Sequence, residues 1–126
     1  MQDNLTELMS SRICHDLISP VGAIGNGLEL MGALSEASDE LALVSQSAQI
    51  AQAKLKFFRL AFGAGSESQI GGPEAARLAS DMFAATRLTV DFTESWGDRE
   101  RRLVKLLYLL LLCVESSLPR GGRVSC

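Results

Sequence analysis

A chain of 126 residues, 47% of them apolar, has enough material for a packed core in one domain or slightly more, and it is too apolar to be a disordered segment. The formal net charge is −3 and no basic block stands out, which argues against nucleic acid as a partner. Three cysteines, Cys14, Cys113 and Cys126, follow a polar N-terminus (Met1-Gln2-Asp3-Asn4) unlike a secretory leader, so we expect reduced thiols and a cytoplasmic protein.

The first segment is helical by periodicity. Cys14, Leu17, Val21, Ile24, Leu28 and Met31 recur at spacings of three and four, a heptad seam, and Leu5, Leu8 and Met9 extend it upstream. The spacing predicts a helix over 4–33. Ser35 is a candidate cap, and Ser38-Asp39-Glu40 an acidic start to the next helix. There Leu41, Val44, Ala48, Ala51, Leu55, Phe58 and Phe62 repeat the pattern up to the stop signal Gly63-Ala64-Gly65. Two such helices form an antiparallel hairpin. Ile50, Phe57 and Leu60 lie off the seam and need another cover, so a homodimeric four-helix bundle is expected.

Residues 66–72 are polar and glycine-rich, and read as a linker. Pro73-Glu74 opens a short helix. Leu88, Val90 and Phe92 alternate with polar residues like a strand. Arg99 to about Ser117 reads as a buried helix: its apolar run, Leu103 to Val114, is interrupted by Lys105 and falls short of the about 20 residues a membrane span needs. Pro119-Arg120-Gly121-Gly122 is a turn and Arg123–Cys126 the start of a strand. The domains expected are a helical hairpin at 1–65, the linker, and an incompletely present α/β domain at 73–126.

With the seam at heptad positions a and d, the lone histidine, His15, falls on the outer face. Ser19, Gly22, Asn26 and Glu29 continue that stripe, and Arg12 precedes it. These residues are small and polar, which leaves room for another protein to lie over the imidazole. Gly22, Gly25 and Gly27 each cost a helix about 1 kcal/mol relative to alanine. A partner's approach or close helix packing would account for them. Near neutral pH imidazole is a nucleophile, and the adjacent Asp16 can hold one ring nitrogen protonated while the other attacks. Pro20 removes a backbone bond and should bend the helix near the site. Taken singly, an exposed histidine is most often a solvated surface residue. A Cys14 thiol catalyst or a metal site lacks a second histidine, and Cys14 points into the seam.

His15-Asp16-Leu17-Ile18-Ser19-Pro20 resembles the H-box of histidine kinases. The longer run from Ser11 to Pro20, with Ala23-Ile24, Gly27-Leu28-Glu29-Leu30 and Phe57–Ala64, resembles the ChpT-type histidine phosphotransferases of alphaproteobacterial phosphorelays. That resemblance implies a dimeric hairpin followed by a histidine-kinase ATPase-like domain without nucleotide binding. In active kinases an Asn-x-x-x-Asn-Ala pattern precedes a Pro-x-Gly-Gly turn. Anchored on Pro119, those positions fall on Leu109, Cys113 and Val114, and none can play the asparagine's role of metal or phosphate contact.

The resemblance further implies that His15 is the phosphoacceptor, Asp16 orients it, Arg12 supports it, and Ile18, Ser19, Gly22 and Asn26 contact partners. The partners would be receiver domains of a hybrid histidine kinase and of response regulators. Mg²⁺ would sit in the receiver, and this chain would bind neither metal nor ATP. No nucleic acid or membrane partner is expected. Two other readings stay open: a kinase core that phosphorylates His15 from ATP, and a non-catalytic helical dimerisation module.

Overall fold

The computed structural model describes residues 2–34, 39–63, 69–84, 86–92 and 97–126; Ser35 and Ser38 lie outside them. Helix α1 spans Gln2–Leu34, running through Pro20, and α2 spans Asp39–Phe62. At about 1.5 Å per residue α1 is about 50 Å long. Asp39 and Glu40 in the first turn of α2 and Arg59 in its last turn complement the helix dipole.

The face of α1 that meets α2 is rotated from the expected seam. Cys14 and Gly25 are buried, and Ile18, Val21, Leu28 and Gly32 are half-buried along the same line. Leu17, Ile24 and Met31 are instead exposed. Both lines alternate spacings of three and four, so periodicity alone does not choose between them. Gly25 explains the choice: it lets α2 approach until the Gln52 side chain lies where a Cβ would be, and Gln52 Nε2 donates to the Val21 carbonyl at 3.3 Å. Gly22 and Gly27 face open space.

Beyond the hairpin come β1 (Gln69–Ile70), α3 (Gly72–Phe83), β2 (Leu88–Asp91), β3 (Arg99–Glu100), α4 (Arg101–Ser117) and β4 (Gly122–Ser125). Strands β1 and β3 pair antiparallel, and β2 and β4 pair parallel with Val90 opposite Val124. Two sequence expectations change here. Gln69–Ile70 is a strand with Ile70 buried, and Gly72 already belongs to α3, so the linker gives way at Gln69; residues 66–68 lie outside the described set. Arg99 and Glu100 are extended and paired, so the last helix starts at Arg101. That helix buries one face only: Val104, Tyr108 and Leu111 are inside, while Leu103, Leu106 and Leu110 are exposed. The turn at Pro119 needs Gly121, whose φ is 92° and whose missing side chain would meet the Arg87 carbonyl.

The core joins the hairpin to the second part of the chain. Phe57 and Ala61 of α2 pack with Ala75, Ala79 and Phe83 of α3 and with Val104 and Tyr108 of α4. Phe57 stacks on Tyr108 with ring centroids 4.3 Å apart and meets Phe83 edge-on at 5.4 Å. The Tyr108 hydroxyl donates to the Ala75 carbonyl at 2.5 Å. This answers the expected need for a cover: α3 and α4 shield Phe57, the off-seam aromatic. Among the described residues no helix is long and apolar enough to cross a membrane.

Candidate functional site

Where Gly25 meets Gln52 the two helices touch, and a rotation of about 100° per residue sorts every other side chain to one flank or the other. Antiparallel helices bring like rotations to the same flank. One flank of α1 carries His15, Ser19, Gly22 and Asn26, beside Gln49, Ala53 and Lys56 of α2. The opposite flank carries Ile13, Leu17, Ile24 and Met31 of α1 beside Val44, Leu55, Phe58 and Phe62 of α2. Of this second set all but Leu55 and Phe58 are exposed. The hairpin therefore has a polar flank with the histidine and an apolar flank without it.

His15 is 72% exposed, and its Nδ1 lies 3.5 Å from Asp16 Oδ1. The other carboxylate oxygen of Asp16 accepts from Arg12 Nε at 3.0 Å, one helical turn back. Asp16 thus bridges the guanidinium and the ring. The Arg12 hydrogen bond holds the Asp16 carboxyl below the usual carboxylate range, with His15 adding a smaller effect in the same direction. A carboxylate that stays ionised beside Nδ1 favours the tautomer with its proton on that nitrogen, which puts the ring's lone pair on Nε2. Directly beneath, Cys14 is buried against α2. Burial pushes its thiol up, partly offset by the Arg59 charge across the helix pair, so this sulfur is a packing group and a poor nucleophile.

Of the residues singled out from the sequence, Ser19 and Asn26 are exposed and Gly22 half-exposed on the His15 flank. Ile18 turns toward α2 and is half-buried, at the edge of that flank. Pro20 is exposed on the far side of α1. The residues at the two asparagine positions and the alanine position of the kinase pattern also separate: Leu109 and Val114 pack against the core, and Cys113 is exposed. Among the described residues no group of three or more histidine, cysteine or acidic side chains could hold a metal ion.

Sequence reasoning missed Gln52, the strap between the helices, and the polar residues that α2 adds to the histidine flank. Their signal was present. Gln46, Gln49 and Lys56 repeat at spacings of three and seven, offset from the apolar seam of the same helix.

Residues 72–126 match the family described as histidine phosphotransferase C-terminal domain. The chain is 40% identical over 124 residues to a protein phosphotransferase ChpT of Brucella abortus (strain 2308), which covers 97% of this chain and 59% of that protein. A solved structure of a bacterial phosphotransferase superposes with a TM-score of 0.59 at 36% identity, over 91% of this chain and 56% of the other. The chain thus spans little more than half the length of the relatives it matches. Over the part of those proteins that it spans, the chain is similar to a ChpT protein phosphotransferase, and its residues 72–126 match a histidine phosphotransferase C-terminal domain.

Proposed function

We propose that this chain relays phosphoryl groups between receiver-domain aspartates through phosphohistidine at His15, as a step in two-component phosphorelay signalling. The observation that carries the reading is the exposed imidazole with its Nδ1 beside an ionised Asp16, on a flank of small polar side chains.

In the first half-reaction the Nε2 lone pair attacks phosphorus in line. The N–P bond forms as the acyl-phosphate P–O bond breaks, and the receiver aspartate leaves as a carboxylate. The proton on Nδ1 stays in place, so the phosphorylated ring is cationic and the Asp16 carboxylate beside it offsets that charge. The second half-reaction is the same displacement by another receiver's aspartate. Mg²⁺ held by the receiver supplies most of the charge stabilisation, and this chain supplies an aligned nucleophile. Asp16 orients the ring, and Arg12 holds Asp16.

The apolar flank suits a second copy of the chain. A homodimer pairing Leu17, Ile24 and Met31 with Val44, Leu55 and Phe58 of two hairpins would complete a four-helix bundle and leave both histidines outward. The second part of the chain reads as a degenerate relative of the histidine-kinase ATPase domain. Leucine and cysteine at the asparagine positions leave no ligand for Mg-ATP, so phosphate comes from another protein. The partners, receivers of a hybrid kinase and of response regulators, place the reaction in the cytoplasm.

The test is incubation with a receiver carrying labelled aspartyl phosphate. Acid-labile, base-stable label should appear on the chain and be absent from His15→Ala. Label that persists in the variant would sink the assignment, and autophosphorylation from Mg-ATP would move it to the kinase reading.

A further inference from the structure

On the histidine flank, a groove of about 440 Å³ opens between α2 and α3. Its floor is Ile50, Ala53 and Leu78; Gln49 and Gln52 line it; Lys56 and Asp81 stand on its rim. Gln52 belongs to both surfaces. Its amide reaches the Val21 carbonyl on α1, and its stem lines the groove on α2. With Gln52 opposite Val21 and Gly25, the antiparallel register places Lys56, one turn on, beside Ser19, one turn below His15.

The stripe on α1 is too small to serve a protein partner alone. From His15 to Asn26 it is about 17 Å long and about 10 Å wide, roughly 170 Å², whereas a specific interface buries at least about 1,000 Å² in total, about 500 Å² from each partner. The remaining contact has to come from surface next to the stripe. The opposite flank is apolar and turned away, so the groove is the available continuation.

We propose that the α2–α3 groove is the second half of the receiver-docking surface, with Lys56 and Asp81 selecting among receivers by charge. This rests on the phosphotransfer reading of His15. The occupant is a receiver domain that lays one apolar side chain on Ile50 and Leu78, with an acidic group toward Lys56 and a basic one toward Asp81. Of the two rim charges, the one nearer the reaction centre is therefore the cation, which favours the acidic rim that surrounds an aspartyl phosphate. Lys56 and Asp81 are specificity residues and take no part in the displacement.

The experiment uses the 126-residue chain and a receiver domain carrying aspartyl phosphate. Lys56→Glu and Asp81→Lys should each raise the KM for the receiver about tenfold with a much smaller change in kcat, since rim charges act on encounter and docking. Arg77→Glu, an exposed charge on α3 outside the groove, is the control and should leave KM unchanged. Unchanged KM in both rim variants overturns the groove while leaving the function of His15 standing. Loss of self-association in Lys56→Glu, read by sedimentation, would make the groove a self-contact and also overturn the proposal. Wild-type chain that takes phosphate on His15 from phosphoramidate but never from a receiver would instead remove the phosphotransfer reading, and the groove with it.

Discussion

The Lys105 ammonium stands 2.6 Å from the Glu7 carboxylate and donates to the Gly63 carbonyl at 2.9 Å. One side chain of α4 thus ties the beginning of α1 to the end of α2, and the second part of the chain to the hairpin. The Lys105 side chain is 18% exposed and that of Glu7 36%, so water screens the pair only in part. The bond to Gly63 adds a cation at the C-terminal end of α2, where the helix dipole favours one. Lys105→Met keeps the apolar stem and removes the donor. We expect it to destabilise the fold by about 1–3 kcal/mol in urea titrations, mostly through the lost charged hydrogen bond.

Arg12→Ala should raise the Asp16 pKa toward the ordinary carboxylate value, because the Arg12 hydrogen bond is the main cause of its depression. A carboxyl whose folded pKa is lowered adds stability above its unfolded pKa and loses it as pH falls through the folded value. Removing Arg12 therefore moves the acid limb of the site to higher pH. Carbon-13 titration of the Asp16 carboxyl would show this directly. A midpoint that does not move would remove Arg12 as the holder of Asp16.

Two helical glycines should respond differently to alanine. At Gly27 nothing lies within 4 Å of an added Cβ, so Gly27→Ala should stabilise by roughly 0.5–1 kcal/mol through helix propensity. At Gly25 the Cβ displaces the Gln52 amide and breaks its bond to Val21, a loss of about 1 kcal/mol that cancels the gain. Gly25→Ala should then be near neutral. Equal stabilisation at both positions, by thermal unfolding, would mean that the Gln52 strap contributes nothing.

In the core, Tyr108→Phe retains the stack on Phe57 and loses one hydrogen bond, so it should cost about 1–2 kcal/mol. Phe57→Ala removes a side chain with no exposed surface that touches both Tyr108 and Phe83, and should cost about 3–5 kcal/mol. Urea denaturation distinguishes the two. A Phe57→Ala cost no larger than that of Tyr108→Phe would show that the hairpin and α3–α4 do not share one core.

The two long helices were legible because a heptad repeat over 30 residues marks a helix, and the outward placement of His15 because it lies outside both seams that repeat allows. Which of two adjacent seams meets α2 was not legible. Cys14-Leu17-Val21 and Cys14-Ile18-Val21 have the same period, and the choice depends on Gln52 closing over Gly25, a contact between residues 27 positions apart. Strands β1 and β3 escaped for another reason. Each is two residues long, too short for alternation to show, and they exist only through their pairing with each other. The Arg12–Asp16 bridge follows from i,i+4 spacing and could have been read, whereas Lys105 meeting Glu7 is a tertiary accident of where α4 begins.

The separation of the two hairpin flanks has a consequence for how such a protein can diversify. On the proposed reading, self-association and partner choice are written on opposite sides of the same pair of helices, with the Gln52–Gly25 contact between them. A substitution at Asn26 or Lys56 would then retune which receiver is served without touching Leu17, Ile24 or Phe58, and the converse would hold. Duplicated copies could thus drift to new circuits while remaining able to exchange subunits, until changes on the apolar side insulate them from one another.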